Sequence, residues 1–356
     1  MQVFGSGPAY EQVVFCHDAA TGLRAIIAIH STQLGPSLGG TRFHPYATED
    51  EALEDVLRLA RGMTYKAAAA GLDLGGGKAV ILGDPGRDKT EALLRTYGRF
   101  VESLAGRYIT AEDVGTTQAD MDMIRKETRS VTGVSRSLGG SGDPSAATAY
   151  GVLHAMKAVA KRLWDSTDLA GRHVVVSGVG KVGSALVRHL IEERARVTIT
   201  DVNAGAIARA TKDFAVEVAS VNDAHAVECD IYSPCAMGKA LSATTIPRLR
   251  CAAVVGSANN QLADESCIGL LRDVGVLYAP DYVVNAGGVI NIADELEPRG
   301  YHRERAYAAV RRIFDTTTSV LEVAEAEGIP TAAAADRLAE SRIEALAGVQ
   351  RIRSFR

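Results

Sequence analysis

The feature that most restricts the fold is the run Gly178-Val-Gly-Lys-Val-Gly183, because of where it stands. It follows the apolar β-rich stretch HVVVS from His173 and opens a segment of helical spacing that begins near Lys181. A strand feeding a helix through GxGxxG needs each glycine for a separate reason. Gly178 permits the tight turn, Gly180 lets the backbone approach a pyrophosphate, and Gly183 allows the helix to pack closely on the strand, with the anion on the helix N-terminus. Lys181 and Val182 lie inside the loop, and Lys181 either adds positive charge near the phosphates or is solvated at the helix start. The next β-rich run, Arg196–Thr200, ends at Asp201, 23 positions after Gly178. An acidic side chain there accepts hydrogen bonds from the adenosine ribose hydroxyls and repels a 2′-phosphate, so the expected cofactor is NAD rather than NADP.

From His173 onward the runs HVVVSG, RVTIT, CDIYS, AAVVGS and VLYAP are separated by mostly helical segments, the pattern of a parallel sheet covered on both faces. The 356 residues suffice for two α/β domains, and the breaker-rich stretch Gly139–Pro144 marks the joint. The expected spans are 1–140 for the first domain and 141–329 for a Rossmann-type, doubly wound second domain. A cleft is expected between them, and the return of a C-terminal helix over 330–356 to the first domain is left open, since periodicity does not place it.

Within the first third, strand and helix signals alternate. Thr48 with Glu51 reads as a capping box for a helix running through Leu53, Val56, Leu57, Ala60 and Met63. Further helix starts are read at Asp88 with Glu91 and at Thr117 with Asp120, and short strands over Lys78–Asp84 and Arg107–Ala111. Pro144 suits the first turn of a helix that reaches Trp164, and Arg303–Leu346 reads as two long helices divided at Gly328–Pro330.

Charge and cysteine usage remove several classes of function. With 39 Lys+Arg against 43 Asp+Glu, the chain lacks the basic surplus of a nucleic-acid binder. No apolar run reaches about 18 residues, so no membrane span is expected, and MQVFGSGPAYEQ has no secretory pattern. Five cysteines without CxxC spacing fit neither a disulfide scaffold nor a zinc knuckle, and eight scattered histidines without HExxH predict no metal site. A small-molecule enzyme of the reducing cytoplasm is the expectation.

The first third also carries four clustered motifs: Gly39-Gly40-Thr41-Arg42, Met63-Thr-Tyr-Lys66, Gly75-Gly-Gly-Lys78 and Ala111-Glu-Asp113-Val-Gly-Thr116. Glycine gives a ligand room to reach the backbone. Two lysines brought together and partly buried disfavour the ammonium form, which is how a lysine becomes a general base near neutral pH. Lys66, Lys78 and Asp113 each stand in a glycine-rich context near an element end, where α/β proteins place active-site residues.

These residues resemble the branched-chain members, leucine and valine dehydrogenases, of the glutamate/leucine/phenylalanine/valine amino-acid dehydrogenase superfamily. The resemblance runs from YEQVVFCHD through LGPSLGGTR, GMTYKAAAAGLDLGGGKAVILGDP, GRYITAEDVGTT, GVGKVG, CDIYSPCAMG, GSANNQLADE and YAPDYVVNAGGVINIADE to AAADRLAE. It implies that the first domain binds substrate and supports oligomerisation. It implies, further, that Lys66 binds the substrate carboxylate beside Gly39 and Gly40, that Lys78 activates water, and that Asp113 handles proton transfer at the amino group. Asn259 or Asn260, with Asn285, would position the substrate amine and the nicotinamide, and Leu38, Ala111, Val289 and Ile292 would line an apolar side-chain pocket. The implied reaction is NAD-dependent oxidative deamination of leucine, valine or isoleucine to a 2-oxo acid and ammonia, with a valine- or phenylalanine-preferring enzyme as the alternative. The implied assembly is a homo-oligomer, an octamer by resemblance, with dimer or tetramer as smaller options.

Overall fold

A computed structural model describes residues 10–236 and 238–347. The leader reading over the first nine residues and the basic tail RIRSFR lie outside the described residues, as does the end of the 330–356 segment.

The described residues divide into two compact units: 10–143 with Ile292–Arg303 and 339–347, and Pro144–Asn291 with Glu304–Leu338. Residues 292–303, placed inside the second domain by the sequence reading, group with the first unit.

The first unit opens with a hairpin that the alternating strand and helix reading of this region did not contain. β1 (Gln12–Asp18) and β2 (Leu23–Ser31) pair antiparallel. Asp18 Oδ2 closes the turn by accepting from the Thr21 amide at 2.8 Å and its hydroxyl at 2.6 Å, and Gly22 takes a φ of +72°. β3 (Ser37–His44) and α1 (Glu49–Ala69) follow. Thr48 accepts from the Glu51 amide, but the Glu51 carboxylate reaches back to the Ala47 amide, so the expected capping box is only half made. β4 (Gly75–Leu82) includes the triple glycine, so the strand starts three residues before Lys78. α2 (Glu91–Glu102) is capped by Thr90 rather than Asp88, whose carboxylate instead accepts from the Asp84 amide. After β5 (Tyr108–Glu112), α3 (Gln118–Ile124) carries the full reciprocal capping box of Thr117 and Asp120.

These strands form one mixed sheet in the order β1-β2-β4-β3-β5, with β3 parallel to both β4 and β5. Strand alternation gives it two apolar faces. Ile27, Ile29, Phe43, Ile81 and Tyr108 pack with Tyr97, Met121 and Ile124 on one side, while Ile26, Ala28 and Val80 pack with Val56 and Ala60 of α1 on the other.

In the second unit, α4 (Ser145–Trp164) leads into β6 (His173–Ser177), α5 (Lys181–Glu192), β7 (Arg196–Thr200), α6 (Ala204–Asp213), β8 (Glu217–Val218), β9 (Ile231–Pro234), β10 (Ala253–Val254), α7 (Ser266–Asp273) and β11 (Leu277–Tyr278). The six strands are all parallel, in the order β11-β10-β9-β6-β7-β8. That order is doubly wound, and its switch point lies between β6 and β9. Helices α8 (Asp281–Val284), α9 (Gly287–Ala293), α10 (Arg303–Arg311), α11 (Ile313–Glu327) and α12 (Thr331–Ala347) complete the chain. The tail is therefore three helices, not two. Arg312 donates its amide three residues back to Ala309, and this tighter turn breaks the α-helical ladder between α10 and α11. Gly328, at φ +66°, ends α11. Beyond Ala339, α12 packs Ile343 and Leu346 with Leu34, Tyr65 and Ala68 of the first unit, and Arg342 bonds the Leu72 carbonyl and pairs with Asp73 at 2.8 Å. Among the described residues no helix is long and apolar enough to cross a membrane.

Candidate active site

In the first unit the polar residues gather on the α1 face of the sheet. Lys78 shares the face of Val80 by strand alternation, and Arg42 is paired with Val80 across β3 and β4. Lys78 sits in the middle of β4, with 7% of its surface exposed. Its Nζ lies 2.6 Å from Oδ2 of Asp113, just beyond the end of β5. Arg42 Nε approaches the same oxygen at 3.5 Å, and its Nη1 pairs with Asp55 of α1 at 2.7 Å. Asp55 is held in turn by the Tyr46 hydroxyl at 2.7 Å and by Arg58 at 2.7 Å.

Burial alone would raise the Asp113 carboxyl, but the Lys78 ammonium and then the Arg42 guanidinium hold it below the usual carboxylate range. Asp113 is therefore a carboxylate at neutral pH, in direct contact with a buried lysine. The following turn fixes its backbone. The Asp113 amide donates to Thr116 Oγ1 at 2.9 Å, that hydroxyl donates to the Thr41 carbonyl, and Phe43 donates its amide to the Val114 carbonyl. Beneath the site, Thr41, Tyr97 and Thr110 join hydroxyls at 2.6 to 3.3 Å, and Tyr108 donates to the Gly39 carbonyl.

Lys66 lies in the last turn of α1, and Thr64, two residues earlier, rests on β4. A Cβ on Gly76 would stand 2.0 Å from the Thr64 amide nitrogen. One on Gly39 would stand 1.7 Å from the Gly77 carbonyl oxygen, and one on Gly40 2.9 Å from the Asp113 Cβ. Here the sequence expectation needs correction. The volume opened by these glycines is filled by the protein's own backbone and by Asp113, so packing accounts for the residue type. Leu38 is fully buried on β3, and Ala111 is paired with Gly40 across β3 and β5.

In the second unit the glycine loop takes the form expected from its spacing. Gly178 has φ +103°, and a Cβ there would strike Ala236; Gly183 meets the Gly178 carbonyl; Gly180 faces open space. α5 starts at Lys181 with Gly180 as its N-cap and Val182 in its first turn. Asp201 lies at the end of β7 and accepts from the Val179 amide and the Asn203 amide, each at 2.8 Å. A carboxylate offers about four lone-pair directions, so two remain for a ligand. Asn285 donates to the Ser257 carbonyl at 3.1 Å and to Asn259 Oδ1 at 2.8 Å, while its own Oδ1 is buried without a hydrogen-bond partner among the described residues. Asn260, exposed beside Asn259, holds φ +51°; Val289 is buried in α9. Ile292, also in α9, falls in the first unit. An open glycine at a helix N-terminus, an acidic strand end and a buried orphan acceptor fit the pyrophosphate, ribose and amide groups of a dinucleotide.

Reading the sequence passed over the Arg42–Asp55–Tyr46 network. Its signal was Arg42, which keeps to the face of Lys78 by alternation, but no spacing rule pointed across to α1.

The family description "Glu/Leu/Phe/Val dehydrogenase, dimerisation domain" matches residues 10–130, and "Glutamate/Leucine/Phenylalanine/Valine dehydrogenase" matches 139–212 and 207–348. A leucine dehydrogenase of Geobacillus stearothermophilus is 56% identical over 337 residues, covering 95% of this chain and 91% of that protein. A valine dehydrogenase of Streptomyces virginiae is 55% identical over 338 residues, 94% of each chain. The crystal structure of L-tryptophan dehydrogenase from Nostoc punctiforme superposes with a TM-score of 0.83 at 43% identity, covering 95% of this chain and 96% of that one. With both halves of the chain matched and identity above half along almost its full length, the protein belongs to the glutamate/leucine/phenylalanine/valine dehydrogenase family and is an amino-acid dehydrogenase.

Proposed function

We propose that the protein catalyses the reversible, NAD-dependent oxidative deamination of branched-chain aliphatic L-amino acids, leucine ahead of valine and isoleucine. The observation that carries the chemistry is the buried 2.6 Å contact between Lys78 and Asp113. The names of the similar proteins, leucine and valine dehydrogenase, support the substrate class.

In this reading Lys66 pairs with the substrate carboxylate, and Gly39 and Gly40 bring the backbone beside it. Bound NAD supplies the acceptor for the hydride that leaves Cα. The remaining steps belong to the chain. The substrate reacts as its neutral amine, and the proton on Lys78 passes across the contact to Asp113, leaving Lys78 a neutral amine. Lys78 then takes a proton from water as the water oxygen bonds to the iminium carbon left by hydride loss. Asp113 gives its proton to the amino nitrogen, and as the C–N bond breaks the hydroxyl proton returns to Asp113, so that ammonia leaves with the 2-oxo acid. A 2.6 Å separation suits such a transfer, since acid–base partners work within about 2.6–3.2 Å. Arg42 holds the ionised Asp113 in place from its other side.

Gly178, Gly180, Lys181, Val182 and Gly183 would cradle the pyrophosphate, Asp201 the ribose, and Asn260 and Asn285 the nicotinamide end, with Asn259 turned to the substrate. On the first unit Leu38, Ala111 and Ile292, and on the second Val289, are the residues proposed to meet the substrate side chain, and none is charged, so glutamate would bury an unpaired carboxylate and be rejected. The working form is a homo-oligomer, an octamer on our reading, which light scattering of the purified protein tests. The decisive assay is NADH formation with a panel of L-amino acids, run beside NADP. Leucine, valine and isoleucine with NAD should lead; a lead by phenylalanine or glutamate, or equal use of NADP, overturns the substrate or cofactor assignment respectively.

A further inference from the structure

Two cysteines in the second unit face each other across neighbouring parallel strands. Ala253 pairs with Ile231, Glu228 bridges Arg250 in the same sense, and both pairs are offset by 22 residues (253 − 231 and 250 − 228). Cys229 and Cys251 share that offset (251 − 229), and the Cys229 amide donates to the Arg250 carbonyl at 3.0 Å. They are thus opposed at the leading ends of β9 and β10. Neighbouring strands lie about 4.7–4.9 Å apart, inside the Cα separation of about 4.4–6.8 Å that a disulfide spans. Both side chains pack against the same apolar cluster, which includes Val175 and Val254, and both are half-buried rather than sealed. By contrast, Cys16 and Cys267 are buried, and Cys267 donates to the Leu241 carbonyl at 3.4 Å. Neither the deamination chemistry nor the cofactor loop uses the pair.

We propose that Cys229 and Cys251 form a redox dithiol that closes to an intrachain disulfide under a two-electron oxidant such as hydrogen peroxide. Each thiol acts on the other: the Cys229 side chain lowers the pKa of Cys251, while the Cys251 side chain, together with burial, raises that of Cys229. Cys251 is accordingly the attacking thiolate and Cys229 the resolving thiol. The Cys251 sulfur attacks one peroxide oxygen, the O–O bond breaks, and a sulfenic acid and water form. Cys229 sulfur then attacks the Cys251 sulfur, the S–O bond breaks, and a second water leaves with the Cys229 proton. Two thiols are oxidised and one peroxide is reduced to two waters. The crosslink ties the leading ends of two strands, away from the trailing ends that carry Cys235 and Asn259, so the dehydrogenase reaction should survive it.

The test uses the full-length protein treated with hydrogen peroxide, then alkylated and mapped by peptide mass spectrometry, with NADH formation followed in parallel. The expected result is a Cys229–Cys251 linked peptide, loss of two of the five titratable thiols, recovery by dithiothreitol, and activity within twofold of the untreated protein. Cys229→Ser should lose the crosslink and trap a dimedone-reactive sulfenic acid at Cys251, whereas Cys251→Ser should trap none at Cys229. Recovery of both cysteines as separately alkylated or overoxidised peptides from the parent protein overturns the proposal, and so does a sulfenic acid at Cys229 in place of Cys251. Either result leaves the deamination reading untouched.

Discussion

The two glycine-rich regions look alike in sequence and do opposite things in space. In Gly178–Gly183 the middle glycine faces open space at a helix N-terminus, while its neighbours permit a left-handed φ and a close helix contact. In Gly39–Gly40 and Gly75–Gly77 every missing Cβ points at protein atoms: Gly77 carbonyl, Asp113, Ser31 carbonyl, Thr64 and the Tyr108 ring. One region leaves Gly180 open between two packed glycines, while the other lets strands and helix close on themselves and bring Lys78 and Asp113 together. Glycine by itself therefore says that something comes close, not what.

The largest effect should come from the first region's chemistry. Lys78→Ala removes the proposed base and leaves the nucleotide loop untouched, so turnover should fall by about 10²–10⁴-fold with NAD binding retained. Turnover within a few-fold of the parent, by steady-state kinetics, would remove Lys78 from the mechanism.

The comparison itself is sharpest in a pair of alanine substitutions. Gly76→Ala must push aside the Thr64 backbone and should cost about 1–3 kcal/mol or more in a denaturant melt. Gly180→Ala meets nothing within 4 Å at an ordinary φ of −69°, so stability should move by no more than about 0.5 kcal/mol while KM for the cofactor rises. Equal stability losses would erase the distinction drawn here.

Acid should separate the two units next. His154 of α4 packs edge-on against Tyr150 at 4.5 Å, and burial, with Lys157 and Arg311 adding to it, pushes its pKa down to about 4. A histidine depressed in the folded state contributes stability that is complete above its unfolded value, about 6.5, and is lost as pH falls from there toward 4. Asp113, also depressed when folded, keeps its contribution until pH falls through the ordinary carboxylate range, about 3.9, and below. Melting followed against pH should thus show a loss between about 6.5 and 4 that His154→Phe reduces and Asp113→Asn does not.

The smallest effect belongs to cofactor choice. Asp201 already accepts two backbone amides, so Asp201→Ala should loosen the glycine loop as well as remove repulsion of a 2′-phosphate. The ratio of kcat/KM for NAD over NADP should narrow, chiefly through a higher KM for NAD. An unchanged ratio would mean that Asp201 serves the loop and not the ribose.

Local chemistry was enough to read the sheet of the second unit, apart from its edge strand β8. GxGxxG after an apolar run, Asp201 after the next, and regular alternation with helices specify a parallel sheet, because each signal lies within a few residues of the contact it governs. Thr117 with Asp120 was legible for the same reason. The half-made box at Thr48, the cap at Thr90 and the break at Arg312 were not, because each turns on which of two nearby groups wins a backbone bond. The hairpin of β1 and β2 stayed hidden too, since Leu23–Ser31 is apolar on both faces and shows no alternation to read.

What the sequence by itself determined was a set of candidate side chains: Lys66, Lys78 and Asp113 in glycine-rich settings, and a GxGxxG loop followed by Asp201. Only the tertiary structure decided which of them meet. Lys78 comes from β4, Arg42 from β3 and Asp113 from the turn just beyond β5, and Asp55 joins them from α1. Their contact depends on strand order β4-β3-β5 and on glycines that let β4 and α1 approach. Long-range pairings of that kind leave no periodicity in the chain, because their spacing is set by the sheet rather than by sequence distance.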